Sequence, residues 1–334
     1  MDGEGSKKRV AIACQGGGSH TAFTAGALKK LLKEDRYEIV ALSGTSGGAI
    51  CALLAWYALL ENAGEGAAER AAELLDSFWQ DNSASELYDR FWNDWTLWVN
   101  RLQGTVVMPA VSPYSTHLSY WGQERLRRML EKWVKFEEAR TPREDSRPML
   151  LVGAVDVRSG EFKAFNSRRD RISVETILAS TALPTLFRAV HTDGGVYWDG
   201  LFSQNPPVRE LTDAKPDEIW VIQIDPERRE DEPKSMVDIL DRRNELAGNL
   251  SLHQEIHFIE KINELVEKLG EGASPQAKRL RIPGEEEKEY KPIIVRRIEM
   301  SIALDFASKL DRSPSFIRGL MDYGEKQAEA FLRG

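Results

Sequence analysis

At 334 residues the chain is long enough to bury a full core, as one large α/β domain or as two smaller ones. A formal net charge of −8, from 45 Lys and Arg against 53 Asp and Glu, argues against a phosphate-binding groove spread over the surface, and no nucleic-acid partner is expected. The opening residues carry no secretory h-region and no run approaches the length of a membrane span. Cys14 and Cys51 fall in apolar segments without a His or Cys cluster, so reduced core thiols, a cytoplasmic setting and no metal site are the expectations.

Arg9 to Cys14 is a short apolar run between charge and glycine, and reads as a buried parallel strand. A helix follows over 22–32, with Phe23, Ala27, Leu28, Leu31 and Leu32 spaced to bury one face. Residues 37–42 form a second strand, and 50–60 a helix that is apolar nearly all round and suited to the core. Strand, glycine turn, helix, then the same again is a βαβα opening, whose natural outcome is an α/β fold with a parallel sheet and helices on both faces. The pattern over 61–135 is mostly helical, interrupted near 104–109. Within it, 91–98 gathers Trp92, Trp95 and Trp98; ordinary helix packing explains them more simply than a cap over an acyl pocket or a contact with lipid. Residues 149–157 and 161–165 flank Arg158-Ser159-Gly160 as a hairpin.

A helix over 173–180, a turn at Pro184 and a loop leading to Asp199 precede another buried strand over 218–224. Apolar spacing from Met236 to Leu269 predicts one long helix with Gly248 as a kink point. The charged, Gly- and Pro-bearing stretch 270–290 reads as a mobile loop. A strand over 293–298 and a helix over 314–332 close the pattern. No repeat or linker divides it, so the expectation is a single domain, with a core over 9–224 and an extension over 236–334 packed on it.

Ser46 in Gly44-Thr45-Ser46-Gly47-Gly48 follows a strand and opens an apolar helix, the setting a nucleophile elbow requires. The pentapeptide alone is weak, since a glycine-rich helix start with serine as a plain N-cap looks alike. Gly16-Gly17-Gly18 also sits between strand and helix, where its N–H groups can converge with that of Gly47 on one ledge as an oxyanion hole. A dinucleotide fingerprint needs a third glycine where Thr21 stands and an acid ending the second strand, and both are missing. No Gly-Lys-Ser/Thr follows the glycines, which excludes a P-loop.

For the general base, Asp199 in Trp198-Asp199-Gly200 lies on a constrained loop before Asn205-Pro206-Pro207. Asp193-Gly194-Gly195 looks instead like a hairpin turn. A Ser-His-Asp esterase would draw its imidazole from His253 or His257, yet both fall inside the long helical pattern; His20, His117 and His191 are out of order for such a triad. Catalysis by Ser46 and Asp199 needs no cofactor.

Taken in this order, Gly16-Gly17-Gly18, Gly44-Thr45-Ser46-Gly47-Gly48, Ala179-Ser180-Thr181-Ala182-Leu183-Pro184 and Asp199-Gly200 with Asn205-Pro206 resemble the motifs of bacterial patatin-like phospholipases. That resemblance spans Arg9 to Val208 and implies a three-layer α/β/α fold, a Ser-Asp dyad of Ser46 and Asp199, and hydrolysis of carboxylic esters of lipids through an acyl-enzyme. It implies a lipid or small ester substrate and transient peripheral contact with the inner membrane surface, and leaves a homo-oligomer open. The rival reading is a patatin-fold binding or regulatory protein with weak or gated hydrolysis. Two departures stand out: His20-Thr21 replaces the family's usual Arg-Gly, where His20 is expected to take over part of the arginine's role, and Leu201 replaces the small residue after Asp-Gly.

Overall fold

A computed structural model describes residues 7–62, 66–86, 89–91, 93–94, 97–98, 112–115, 118–139, 148–270, 279–280, 288–289, 291–302 and 304–334. Its centre is an eight-stranded sheet ordered β10-β7-β1-β2-β3-β6-β5, with β4 paired to β3 off this path. The strands are β1 (Lys8–Cys14), β2 (Tyr37–Thr45), β3 (Met149–Asp156), β4 (Phe162–Asn166), β5 (Val190–Thr192), β6 (Gly195–Asp199), β7 (Glu218–Gln223) and β10 (Ile294–Glu299). Neighbours from β10 through β3 run parallel, and β4, β5 and β6 pair antiparallel. The expected mainly parallel α/β sandwich is therefore the fold. The central strands are buried on both faces, which is why β1 and β7 read as unbroken apolar runs rather than alternating ones.

One face of the sheet is covered by α1 (Ala22–Leu31), α2 (Gly47–Glu61) and α3 (Ala67–Asn82), joined by α4 (Leu118–Trp133), α5 (Val174–Ser180) and the last helix, α7 (Pro314–Arg333). Helix α2 is buried from Gly47 to Ala58, so it threads the core as its composition demands. The opposite face is covered by α6 (Met236–Gly270), whose Leu252, Ile256 and Ile259 pack on Ala11, Ala13, Met149, Ile219 and Val221. Helix α6 continues through Gly248, where the missing side chain makes room for Asn205: an added Cβ would stand 3.2 Å from its amide nitrogen.

Two expectations change. Asp199 ends strand β6, paired with Ala154 of β3, instead of lying on a loop. Within the stretch expected as a loop over 270–290, Arg279–Leu280 and Lys288–Glu289 pair as antiparallel strands β8 and β9, and the remainder lies outside the described residues. So do the interruption at 104–109 and, in the tryptophan-rich stretch, Trp92 and Trp95. Leu97 is buried there, whereas Phe91 and Trp98 are exposed. No helix of the described residues is long and apolar enough to cross a membrane.

Candidate active site

Parallel strands β1 and β2 both end at glycine turns, which brings the Gly16–Gly18 loop and Ser46 to the same edge of the sheet. Ser46 sits between β2 and α2 with φ 56° and ψ −131°, a left-handed backbone that costs a non-glycine residue about 1–3 kcal/mol and persists only when its surroundings hold it. They do so on every side. A Cβ at Gly44 would meet the Gly48 backbone at 2.5 Å, one at Gly48 would meet the Cys14 carbonyl oxygen at 2.3 Å, and one at Gly16 would meet Ser46 Cβ at 2.8 Å. The Ser46 N–H donates to Ser180 Oγ (3.0 Å), whose own hydroxyl donates to the Gly153 carbonyl (2.6 Å).

Asp199 is buried, and its carboxylate lies within hydrogen-bonding reach of the Ser46 side chain. Its backbone N–H donates to the Ala182 carbonyl (3.1 Å), and its Oδ1 accepts from the Leu201 N–H (2.9 Å). Leu201, the departure in the base motif, thus supplies its main chain and leaves the carboxylate where it is. Burial pushes the Asp199 pKa up to about 7, against the opposing hydrogen bonds from Ser46 and Leu201. A carboxylate so placed gives up and regains a proton near neutrality.

The glycine loop is tied to the Asp199 segment through Asn205, an anchor that residue-type reasoning alone did not single out. Asn205 Oδ1 accepts from the Gly16 N–H at 2.6 Å, and its Nδ2 donates to the Gly16 carbonyl at 3.3 Å. Thr45 Oγ1, at the end of β2 beside Ser46, ties the serine turn to the same segment by donating to the Gln204 carbonyl (2.8 Å). The Gly16 N–H is therefore engaged by Asn205, which sets it apart from the other glycines expected to serve as oxyanion donors. Among the described residues no hydrogen bond engages the N–H groups of Gly17, Gly18 and Gly47.

His20, expected to take over part of the arginine's role, turns to the interior. It is buried, its Nε2 is 2.8 Å from Ser308 Oγ, and burial together with nearby Lys309 lowers its pKa to about 3, so it is neutral and faces inward. His253 lies 2.8 Å from Glu227 beside Arg297, and exposed His257 faces Glu260 at 3.7 Å. Neither therefore points its imidazole at Ser46. His191 is exposed, and His117 lies outside the described residues. Asp193 occupies the β5–β6 turn with φ 49°, exposed, as its Asp-Gly-Gly context requires.

A strained serine on a strand-to-helix elbow, a buried carboxylate at its side and a glycine ledge are the parts that a serine hydrolase of the Ser-Asp class requires. The patatin-like phospholipase family model matches residues 12–212, and the chain belongs to that family. Members act on lipid and ester substrates through a Ser-Asp pair. The chain is also similar to the crystal structure of VipD from Legionella pneumophila, at 12% identity and a TM-score of 0.43, covering 98% of this chain and 67% of that one. No curated protein matches.

Proposed function

We propose that Ser46 is the nucleophile and Asp199 the general base of a lipid acyl hydrolase of the phospholipase A, lysophospholipase or esterase type. The observation that carries this reading is the buried carboxylate beside a hydroxyl held in a strained turn, both at the edge of the sheet where the glycine loop ends. Asp199 takes the Ser46 proton as Oγ attacks the ester carbonyl, and the N–H groups of Gly17, Gly18 and Gly47 receive the oxyanion. Collapse expels the alcohol or lysolipid, which leaves with the proton from Asp199. Asp199 then takes a proton from water as it attacks the acyl-enzyme, and returns that proton to Ser46 Oγ as the fatty acid is released.

Because its substrates are lipids, we place the enzyme in transient contact with a lipid surface. The test is product release followed by mass spectrometry on diacyl lipid, lysolipid and a short-chain ester. Ser46→Ala and Asp199→Ala should each reduce turnover by at least about 10³-fold. His253→Ala and His257→Ala should keep wild-type rates. Retained turnover in Asp199→Ala, with loss in His253→Ala, would transfer the role of base to histidine.

A further inference from the structure

Gly17 and Gly18 are gripped from two sides by residues beyond the 12–212 stretch that the family model covers. A Cβ on Gly17 would meet Ile224 Cδ1 at 2.5 Å and lie 3.9 Å from Asp225 Oδ1, at the end of β7. On the other side, a Cβ on Gly18 (φ +59°) would meet the Lys309 carbonyl oxygen at 2.4 Å. The two contacts are joined to one another, since Lys309 Nζ stands 3.4 Å from Asp225 Oδ1, 2.7 Å from Asp241 Oδ1 and 3.4 Å from Glu245 Oε1.

Asp225, Asp241 and Glu245 are all buried. Arg229 bonds both Asp241 and Glu245, and Arg242 bonds Glu245. Three acids thus face three bases in one network. Burial works against the Lys309 charge, and the three carboxylates outweigh it, holding its pKa above the ordinary lysine value. Gln15, next to the loop, is fastened to the same region: its Oε1 accepts from the N–H groups of Ile224 and Asp225 at 2.8 Å each, and its Nε2 donates to Asn249 Oδ1 at 2.9 Å.

We propose that the Lys309–Asp225 bridge, anchored on α6 by Asp241 and Glu245, is a positioning device that fixes the Gly17 and Gly18 donors for the oxyanion. It rests on the reading of those two N–H groups as oxyanion donors. Lys309 acts through the loop stacked on its main chain, as a positioning residue. Hydrogen-bond donors stabilise a transition state only when their geometry is set beforehand, so freeing the loop costs rate rather than substrate affinity. The C-terminal region thereby takes part in catalysis.

The test compares wild type, Asp225→Asn, Lys309→Met and Ser46→Ala on a short-chain p-nitrophenyl ester, with a trifluoromethyl ketone as an oxyanion-forming inhibitor. In Asp225→Asn and Lys309→Met, kcat should fall about 10- to 100-fold with KM held within about twofold, and inhibitor affinity should weaken by the same factor. Asp225→Asn is isosteric and leaves Lys309 two carboxylates, so it decides the matter should Lys309→Met not fold. Unchanged kcat in folded Asp225→Asn, or a change confined to KM, overturns the device while full loss in Ser46→Ala keeps the catalytic reading. Turnover surviving in Ser46→Ala overturns that reading, and the device with it.

Discussion

A carboxylate that takes a proton from a hydroxyl must first lose its own, and burial makes that loss costly. For Asp199, raised from 3.8 to about 7 by burial, the folded protein binds a proton that the unfolded chain has already released. The penalty is absent below pH 4, grows as pH rises through the window from 4 to 7, and is complete above 7, where it reaches about 4 kcal/mol. Two outcomes are expected. The kcat/KM of the wild type should climb about tenfold per pH unit below 7 and level off above it. Asp199→Asn should abolish turnover and yet raise stability in urea unfolding at pH 8, with the gain shrinking as pH falls toward 4. A gain of equal size at both pH values would mean that Asp199 is not the group titrating. The strain at Ser46 and the burial of Asp199 are two costs borne at the same place, as expected where function competes with stability.

Among the elements, the glycines of the helix pair α1 and α7 show how close packing leaves no spare volume. A Cβ on Gly324 would lie 2.0 Å from the Phe23 carbonyl oxygen, and one on Gly26 would lie 1.9 Å from that of Met321. Both obstacles are backbone and cannot swing aside. Gly324→Ala should therefore lower stability by about 2–3 kcal/mol despite alanine's better helix propensity, read as a lower midpoint in thermal unfolding. Nothing in the sequence around Gly26 or Gly324 announces this contact, because the partners are some 300 positions apart. By contrast β1, β2, β7, α2 and α6 are legible because each repeats one burial pattern over its own length. Strand β6 is not, since five residues beginning in a glycine turn show too little pattern, and its pairing with β3 depends on residues about forty positions away. The site divides the same way. Ser46 and Asp199 carry local motif signals, while the engagement of Gly16 by Asn205 and the inward turn of His20 arise from tertiary contacts.

On the scale of the whole molecule, the family match ends at residue 212, but the fold does not. Strand β7 stands between β1 and β10 inside the same sheet. Leu252, Ile256, Ile259 and Ile293 fill one layer of the core; Ile298, Met300, Ile317, Leu320, Met321 and Ala328 help fill the other. Removing these residues would uncover both faces of the sheet at once and leave β7 as an open edge, a template for aggregation. We expect the chain to behave as one cooperative unit rather than a catalytic core with a separable tail. Calorimetry should show a single transition, and a fragment ending at Ser235 should lack the native near-ultraviolet circular dichroism and aggregate on expression. Two resolved transitions in the intact protein, or a folded and active fragment 1–235, would count against this and return the region beyond 235 to the status of an appendage. The expectation follows from the same contacts that place Lys309 against Gly18: a segment that supplies interior to both layers and touches the glycine loop is bound to the site by the energetics of the core itself.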